Sequence, residues 1–189
     1  ALNSIKTFVL ENDAIQSNDY IARFSKLMRQ ILDQSQYTLV PLEDELKALD
    51  NYVSLELMRG KDRFSYTIEV DKSIDQKKSQ IPSLLLQPFV ENAIWHGIMP
   101  LDRKGHISVS LEQNDHTIIC SIEDNGAGRT STGRGLNEHQ SVSTQISSKR
   151  LELINKRFGT QIDIQFFDLK DGNGVALGTR VIIPIPIEF

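Results

Sequence analysis

A two-layer α+β sandwich preceded by helices is the fold class that this sequence predicts. Three observations carry it. Apolar residues recur at steps of three and four through residues 1–57. Alternation of apolar and polar residues begins at Phe64. Beyond that point the pattern gives runs of strands whose helices need not cross between them, which favours α+β over a parallel α/β layer.

The helical part comes first. Leu2, Ile5, Phe8 and Val9 fall at helical spacing, and Asn12-Asp13 ends that segment. Ile21, Phe24, Leu27, Met28 and Ile31 then form an apolar stripe. A break from Ser35 to Val40 and Pro41 precede a third helix, marked by Leu42, Leu46, Leu49, Val53 and Leu57. Its first turn holds Glu43, Asp44 and Glu45, where the helix dipole favours acidic groups, and Gly60 closes it. The boundary between the two parts falls near Gly60–Arg63, giving residues 1–60 and residues 61–189.

Phe64–Val70 reads as a strand, with Phe64, Tyr66, Ile68 and Val70 on one face. Asp71–Ser79 is polar loop. Ile81–Ile98 is a long apolar segment, and Pro88 inside it predicts a kink or a late helix start. Ile107–Leu111 and Thr117–Ile122 read as strands joined by a turn at Gln113-Asn114-Asp115. Gly126 to Gln140 is a polar, glycine-bearing loop. Ile146–Phe158 is a helix with Ile146, Leu151, Ile154 and Phe158 inward. Ile162–Leu169 and Thr179–Ile187 are strands joined by Lys170–Gly178.

Composition bounds the function. A chain of 189 residues with 39% hydrophobic residues buries roughly 70% of its unfolded surface and needs no staples. A formal net charge of −4 argues against a nucleic-acid coat or a polybasic membrane surface. The single cysteine, Cys120, excludes an internal disulfide framework and a cysteine zinc site, and fits a cytoplasmic setting. No apolar run approaches the ~20 residues that span a bilayer. The start at Ala1, with neither an initiator Met nor a signal pattern, reads as a piece of a longer protein.

Four local patterns bear chemistry. In Gln87–Gly97, polar residues interrupt a core-like helix, and Asn92 and His96 share a face. Asn92 is either a hard oxygen ligand suited to Mg²⁺ or a satisfied core amide; His96 is either a ligand contact or a helix C-terminal cap before Gly97. Asp124-Asn125-Gly126-Ala127-Gly128 follows a strand. It either sets a carboxylate against an amino-bearing ligand, with backbone in close approach, or is an ordinary turn. Gly133-Arg134-Gly135-Leu136 is either a phosphate-wrapping backbone or a surface loop. Gly178-Thr179 enters the last strand as a ligand contact or as a hairpin exit.

The order and spacing of these patterns resemble the GHKL ATPase superfamily. More narrowly, "LLLQPFVENAIWHG" (84–97), "RLELINKRFG" (150–159) and "GTRVIIPIP" (178–186) resemble the LytS-type sensor histidine kinases. "ALNSI" (1–5) is similar to the tail of that family's phosphoacceptor motif, and "VPLEDELKALDNYVSLELMRGKDRF" (40–64) to its linking helix. The resemblance implies the GHKL ATP-binding sandwich over 61–189 and partial dimerisation helices over 1–60. It implies that Asn92 holds Mg²⁺ between nucleotide phosphates, that Asp124 recognises adenine, and that Gly126 and Gly128 let backbone approach. Thr179 then supports the adenine side, while His96 and Lys149 or Arg150 touch phosphates. ATP and Mg²⁺, a response regulator and a second copy of the chain are the implied partners. The function implied is transfer of the ATP γ-phosphate to a histidine and onward to the regulator.

The chain departs from that family in three places. None of its four histidines, His96, His106, His116 and His139, lies in residues 1–57, so the phosphoacceptor belongs upstream. Counting back seven residues from Arg150-Leu151 reaches Ser143-Thr144, where relatives carry Gly-Leu in the lid. A serine held at positive φ costs of order 1 kcal/mol that glycine avoids. One turn before Asn92, where hydrolysing ATPases carry a base Glu, stands Pro88, which fits transfer better than hydrolysis. Trp95, where many histidine kinases have a basic residue, reads as a core or rim aromatic. The alternative function is a degenerate kinase that signals as a dimerising scaffold.

Overall fold

The computed structural model describes residues 14–60, 63–129, 155–156, 159, 161 and 163–186. It is a mixed α/β fold with one five-stranded sheet and helices packed on it, the class predicted. Helix α1 is Ala14–Ser35, and α2 is Leu42–Arg59. The strands are β1 (Leu39–Pro41), β2 (Phe64–Val70), β3 (Gln80–Pro82), β4 (Gly105–Asn114), β5 (Thr117–Asp124), β6 (Gln165–Lys170) and β7 (Ala176–Pro186). Helix α3 is Gln87–Asn92, and it runs on without a break as a π-helical stretch, Ala93–Ile98.

The sheet has the order β2-β4-β5-β7-β6. β2 and β4 pair in parallel, and the other neighbours are antiparallel. β2 occupies the span that alternation predicts. β4 runs longer than predicted because the polar tail Glu112–Asn114 stays paired as an exposed extension, and β5 because Glu123 and Asp124 pair with both β4 and β7. The turn tightens to Asp115 and His116, with Asp115 at φ +49, a conformation Asp tolerates. The last two strands are offset from their predicted bounds, and the connection shrinks to Asp171–Val175.

Pro88 has the predicted consequence: α3 starts late, with Pro88 in its first turn, where a missing N–H costs nothing. Gly60 closes α2, its N–H donating to Glu56 O. The stripe on α1 divides. Tyr20 and Leu27 are buried and Phe24 and Ile31 pack against the core, while Ile21 and Met28 are exposed. A two-stranded ribbon of β1 and β3 was not legible, since three residues ending in proline show no alternation. The segment before residue 14 lies outside the described residues. Of the predicted helix over 146–158, Asn155 and Lys156 are described, and both are helical.

One core joins these elements. Leu49 and Val53 of α2, Phe89 and Val90 of α3 and Ile94 of the π-helical stretch share it with the inward face of the sheet. That face is Ile107, Val109 and Leu111 of β4, Ile118, Cys120 and Ile122 of β5, and Val181, Ile183 and Ile185 of β7. Among the described residues no helix is long and apolar enough to cross a membrane.

Candidate functional site

The inward alternation of β5 ends on a carboxylate. After Ile118, Cys120 and Ile122, the next buried position is Asp124, 5% exposed. A charge there is costly unless polar hydrogens face it. Gly126 N–H donates to Asp124 Oδ1 at 2.8 Å, and the backbone N–H of Thr179, the cross-strand partner, donates to the same carboxylate. Burial outweighs these two donors and the Glu123 carboxylate adds to it, so the Asp124 carboxyl is pushed up to about 6.

Glycines let backbone close around this carboxylate. A Cβ on Gly97, in the π-helical stretch, would lie 2.7 Å from Asp124 Oδ1, and one on Gly126 would lie 2.4 Å from the Gly97 carbonyl carbon. One on Gly178, at φ +144, would lie 1.8 Å from the Asp124 carbonyl oxygen. Ala127 N–H donates to Gly97 O at 2.9 Å, stitching the turn after β5 to the end of the helix. Gly128, at φ +72, packs over Ala176. Asn125 fixes the same turn to the start of β4: its Oδ1 accepts from His106 N–H at 2.8 Å, its N–H donates to His106 O, and Arg103 donates to its carbonyl.

Asn92 ends the α-helical part of α3, half-buried, little more than one turn before Gly97. His96 is exposed. The helix continues through Gly97 to Ile98, so His96 is no terminal cap and Gly97 is no helix stop. The i→i−5 bond from Met99 N–H to Ile94 O marks the widened turn, and such π segments concentrate at functional sites. The structure therefore brings Asp124, Gly126 and Thr179 together, and links Asn92 to them through the helix whose Gly97 packs against the carboxylate. Ser143, Lys149, Arg150 and Gly133–Leu136 lie outside the described residues.

Sequence reasoning carried Gly97 and Gly178 inside its patterns but missed that Gly97 itself packs on Asp124. The available signal was a glycine inside an apolar helical pattern. It also missed the seam between α2 and α3. The Arg59 guanidinium lies 4.1 Å over the Trp95 ring and 3.5 Å from the Glu56 carboxylate. Burial raises the Glu56 carboxyl, Arg59 opposes that, and the Glu91 carboxylate adds to it. Burial likewise raises the Tyr52 hydroxyl. On the far side of the site, Arg129 pairs with Asp168 at 2.7 Å and stacks on Phe166. Among the described residues no three His, Cys, Asp or Glu side chains converge to hold a metal by themselves.

The family model described as "Histidine kinase" matches residues 1–64. The sensor histidine kinase BtsS of Escherichia coli (strain K12) is 32% identical over 157 residues, which cover 83% of this chain and 25% of that protein. The sensor protein LytS of Oceanobacillus iheyensis is 32% identical over 120 residues, 64% of this chain and 20% of that protein. The chain thus spans about a quarter of the length of the curated relatives it matches. Among solved structures, the histidine kinase domain of the Erythrobacter litoralis EL346 blue-light activated histidine kinase superposes with a TM-score of 0.57. It covers 95% of this chain and 83% of that one at 15% identity, a likeness of fold.

Proposed function

Because the chain belongs to the LytS-type sensor histidine kinases, we propose that it is the ATP-binding part of such a kinase. The parent transfers the γ-phosphate of ATP to a histidine outside this chain, and a response regulator then takes it. The observation that carries this reading is the buried Asp124 carboxylate at a strand end, gripped by Gly97, Gly126 and Thr179.

The donor set fits a nucleotide and its metal. Asp124, as a carboxylate, accepts a hydrogen bond from the exocyclic amine of adenine. Gly97, Gly126 and Gly178 keep side chains out of the space its backbone needs. Asn92 offers an amide oxygen, a hard ligand of the kind Mg²⁺ takes beside phosphate oxygens and water. Bound Mg²⁺ would neutralise charge on the phosphates during transfer. Asn92 would orient it, with His96, Arg150 or Lys149 toward the phosphates and Ser143 in the lid. Pro88, one turn ahead of Asn92, supplies no base to activate water, which favours transfer over hydrolysis.

Residues 1–60 serve dimerisation and linkage in this reading, and 61–189 bind ATP. Helix α2, which shares the core of the sheet, is the mechanical link. Ile21, Met28 and Leu32 form the exposed apolar stripe on α1 that a second copy would cover in a four-helix bundle. The fragment itself works on the cytoplasmic side, with no direct membrane contact and no nucleic-acid partner.

Thermal denaturation with a non-hydrolysable ATP analogue tests the proposal. Mg²⁺-dependent stabilisation that Asp124→Asn abolishes is the expected result. No shift at millimolar nucleotide would instead support a scaffold without catalysis.

A further inference from the structure

One buried charge has no part in the site as drawn above. Glu45, in the first turn of α2, is 2% exposed. A carboxylate that deep needs its lone pairs filled. Leu84 N–H donates to Glu45 Oε2 at 2.8 Å, and Leu86 N–H donates to Oε1 at 3.0 Å. Both donors belong to the short loop that leads from β3 into α3. Leu84 sits at φ +56, a left-handed conformation that a leucine adopts only when its surroundings impose it. Leu86 is the N-cap residue of α3, and its own side chain caps nothing. The acceptor that fixes this helix start is therefore lent by another helix.

A second set of bonds holds the same loop. Ser83 N–H donates to Thr38 O at 3.2 Å, and Ser83 Oγ donates to Tyr37 O at 2.8 Å. Residues 37 and 38 join α1 to β1, and β1 is paired to β3. The π-helical continuation of α3 is tied separately, by the Ala127 N–H to Gly97 O bond and the Gly97–Asp124 contact. The helix is thus pinned at two ends by independent devices, with Asn92 between them.

We propose that Glu45 is a positioning residue for the nucleotide site: its carboxylate sets where α3 begins and hence where Asn92 presents its amide to the metal. This rests on the reading of Asn92 and Asp124 given above. A pin at the start of α3 acts on the metal end of the site. The adenine end, held by the glycine contacts around Asp124, does not depend on it.

Glu45→Gln tests this on the whole chain. The amide keeps the shape and one acceptor but turns an NH₂ toward a backbone N–H. Dissociation constants are measured for a non-hydrolysable ATP analogue with Mg²⁺ and with chelator, at a temperature where circular dichroism shows the variant folded. The expected result is that the affinity gained on adding Mg²⁺ falls roughly tenfold, one charge-assisted hydrogen bond's worth. The Mg²⁺-free affinity stays within about twofold. Adding Leu84→Gly, which removes the need to force a left-handed leucine, should return part of the loss. A purely structural role predicts a lower Tm with both affinities unchanged, and that result overturns the proposal. If the wild-type chain shows no Mg²⁺-dependent gain, the reading of Asn92 fails and the positioning role falls with it. Should Glu45→Gln not fold, the wild-type Leu84 and Leu86 amide signals decide by NMR. Movement when Mg²⁺ joins the nucleotide complex supports the proposal, and no movement overturns it.

Discussion

Gly97 and Asp124 touch so closely that a methyl group on the glycine would stand 2.7 Å from Oδ1 and 3.0 Å from Cγ of the aspartate. A helix end and a strand end are thereby locked together where, among the described residues, the buried sheet face carries a charge. Gly97→Ala must displace either the carboxylate or the π-helical turn. Overpacking of this kind costs about 1–3 kcal/mol, and nucleotide affinity should fall by more than about tenfold. Gly172→Ala, with nothing within 4 Å of its added Cβ, is the control and should stay within about 0.5 kcal/mol. Paired thermal melts and nucleotide titrations read both.

The raised Asp124 carboxyl gives two opposite pH trends. Burial moves it from 3.8 to about 6, so the folded chain holds this proton more tightly than the unfolded one. Stability of the nucleotide-free protein from this group is full below 3.8 and is lost as pH rises through about 6, by about 3 kcal/mol at 1.36 kcal/mol per unit. Asp124→Asn should therefore gain on wild type as pH rises from 4 to 7. With Asp124 accepting from adenine as proposed, nucleotide binding needs the carboxylate and should run the other way, weakening about tenfold between pH 7 and pH 5. Urea unfolding and nucleotide titration across that range check the two signs.

Arg59 and Trp95 supply a built-in reporter. Trp95 is the only tryptophan of the chain and lies three residues after Asn92. Where many histidine kinases carry a basic residue, this chain places an aromatic ring, and the cation over it comes from the neighbouring helix. Arg59→Ala should red-shift Trp95 emission and lower Tm by about 2–4 °C for each kcal/mol of the ~0.5–2 kcal/mol that a cation–π contact contributes. Arg59→Lys should restore part of both.

Ile21, Met28 and Leu32 stand exposed on α1 beside the stripe that packs on the core. Met28→Glu combined with Leu32→Glu should weaken self-association by at least about a hundredfold in sedimentation equilibrium. Nucleotide affinity should hold within about twofold, because neither residue belongs to the core under α3.

Much of this was legible in the residues. Strict alternation located β2, and the Pro88 rule located the start of α3, because both signals are local. Asp124 was marked by its place after a strand and before Gly126, although its burial follows from pairing with β7, which no local pattern reveals. The alternative of His96 as a cap before Gly97 falls for the same reason; Gly97 lies inside the helix. Its purpose is contact with a strand 27 positions later, and the π-helical stretch that brings it there follows no 3.6-residue period. The β1–β3 ribbon is too short to alternate, and the seam of Arg59 and Trp95 is a tertiary pairing between two helices.

The most direct test is a crystal structure of this chain with a non-hydrolysable ATP analogue and Mg²⁺. The account predicts the adenine amine within about 2.7–3.2 Å of an Asp124 carboxylate oxygen and the metal about 2.0–2.1 Å from Asn92 Oδ1. Nucleotide bound away from both side chains, or with the adenine ring out of reach of Asp124, would contradict it.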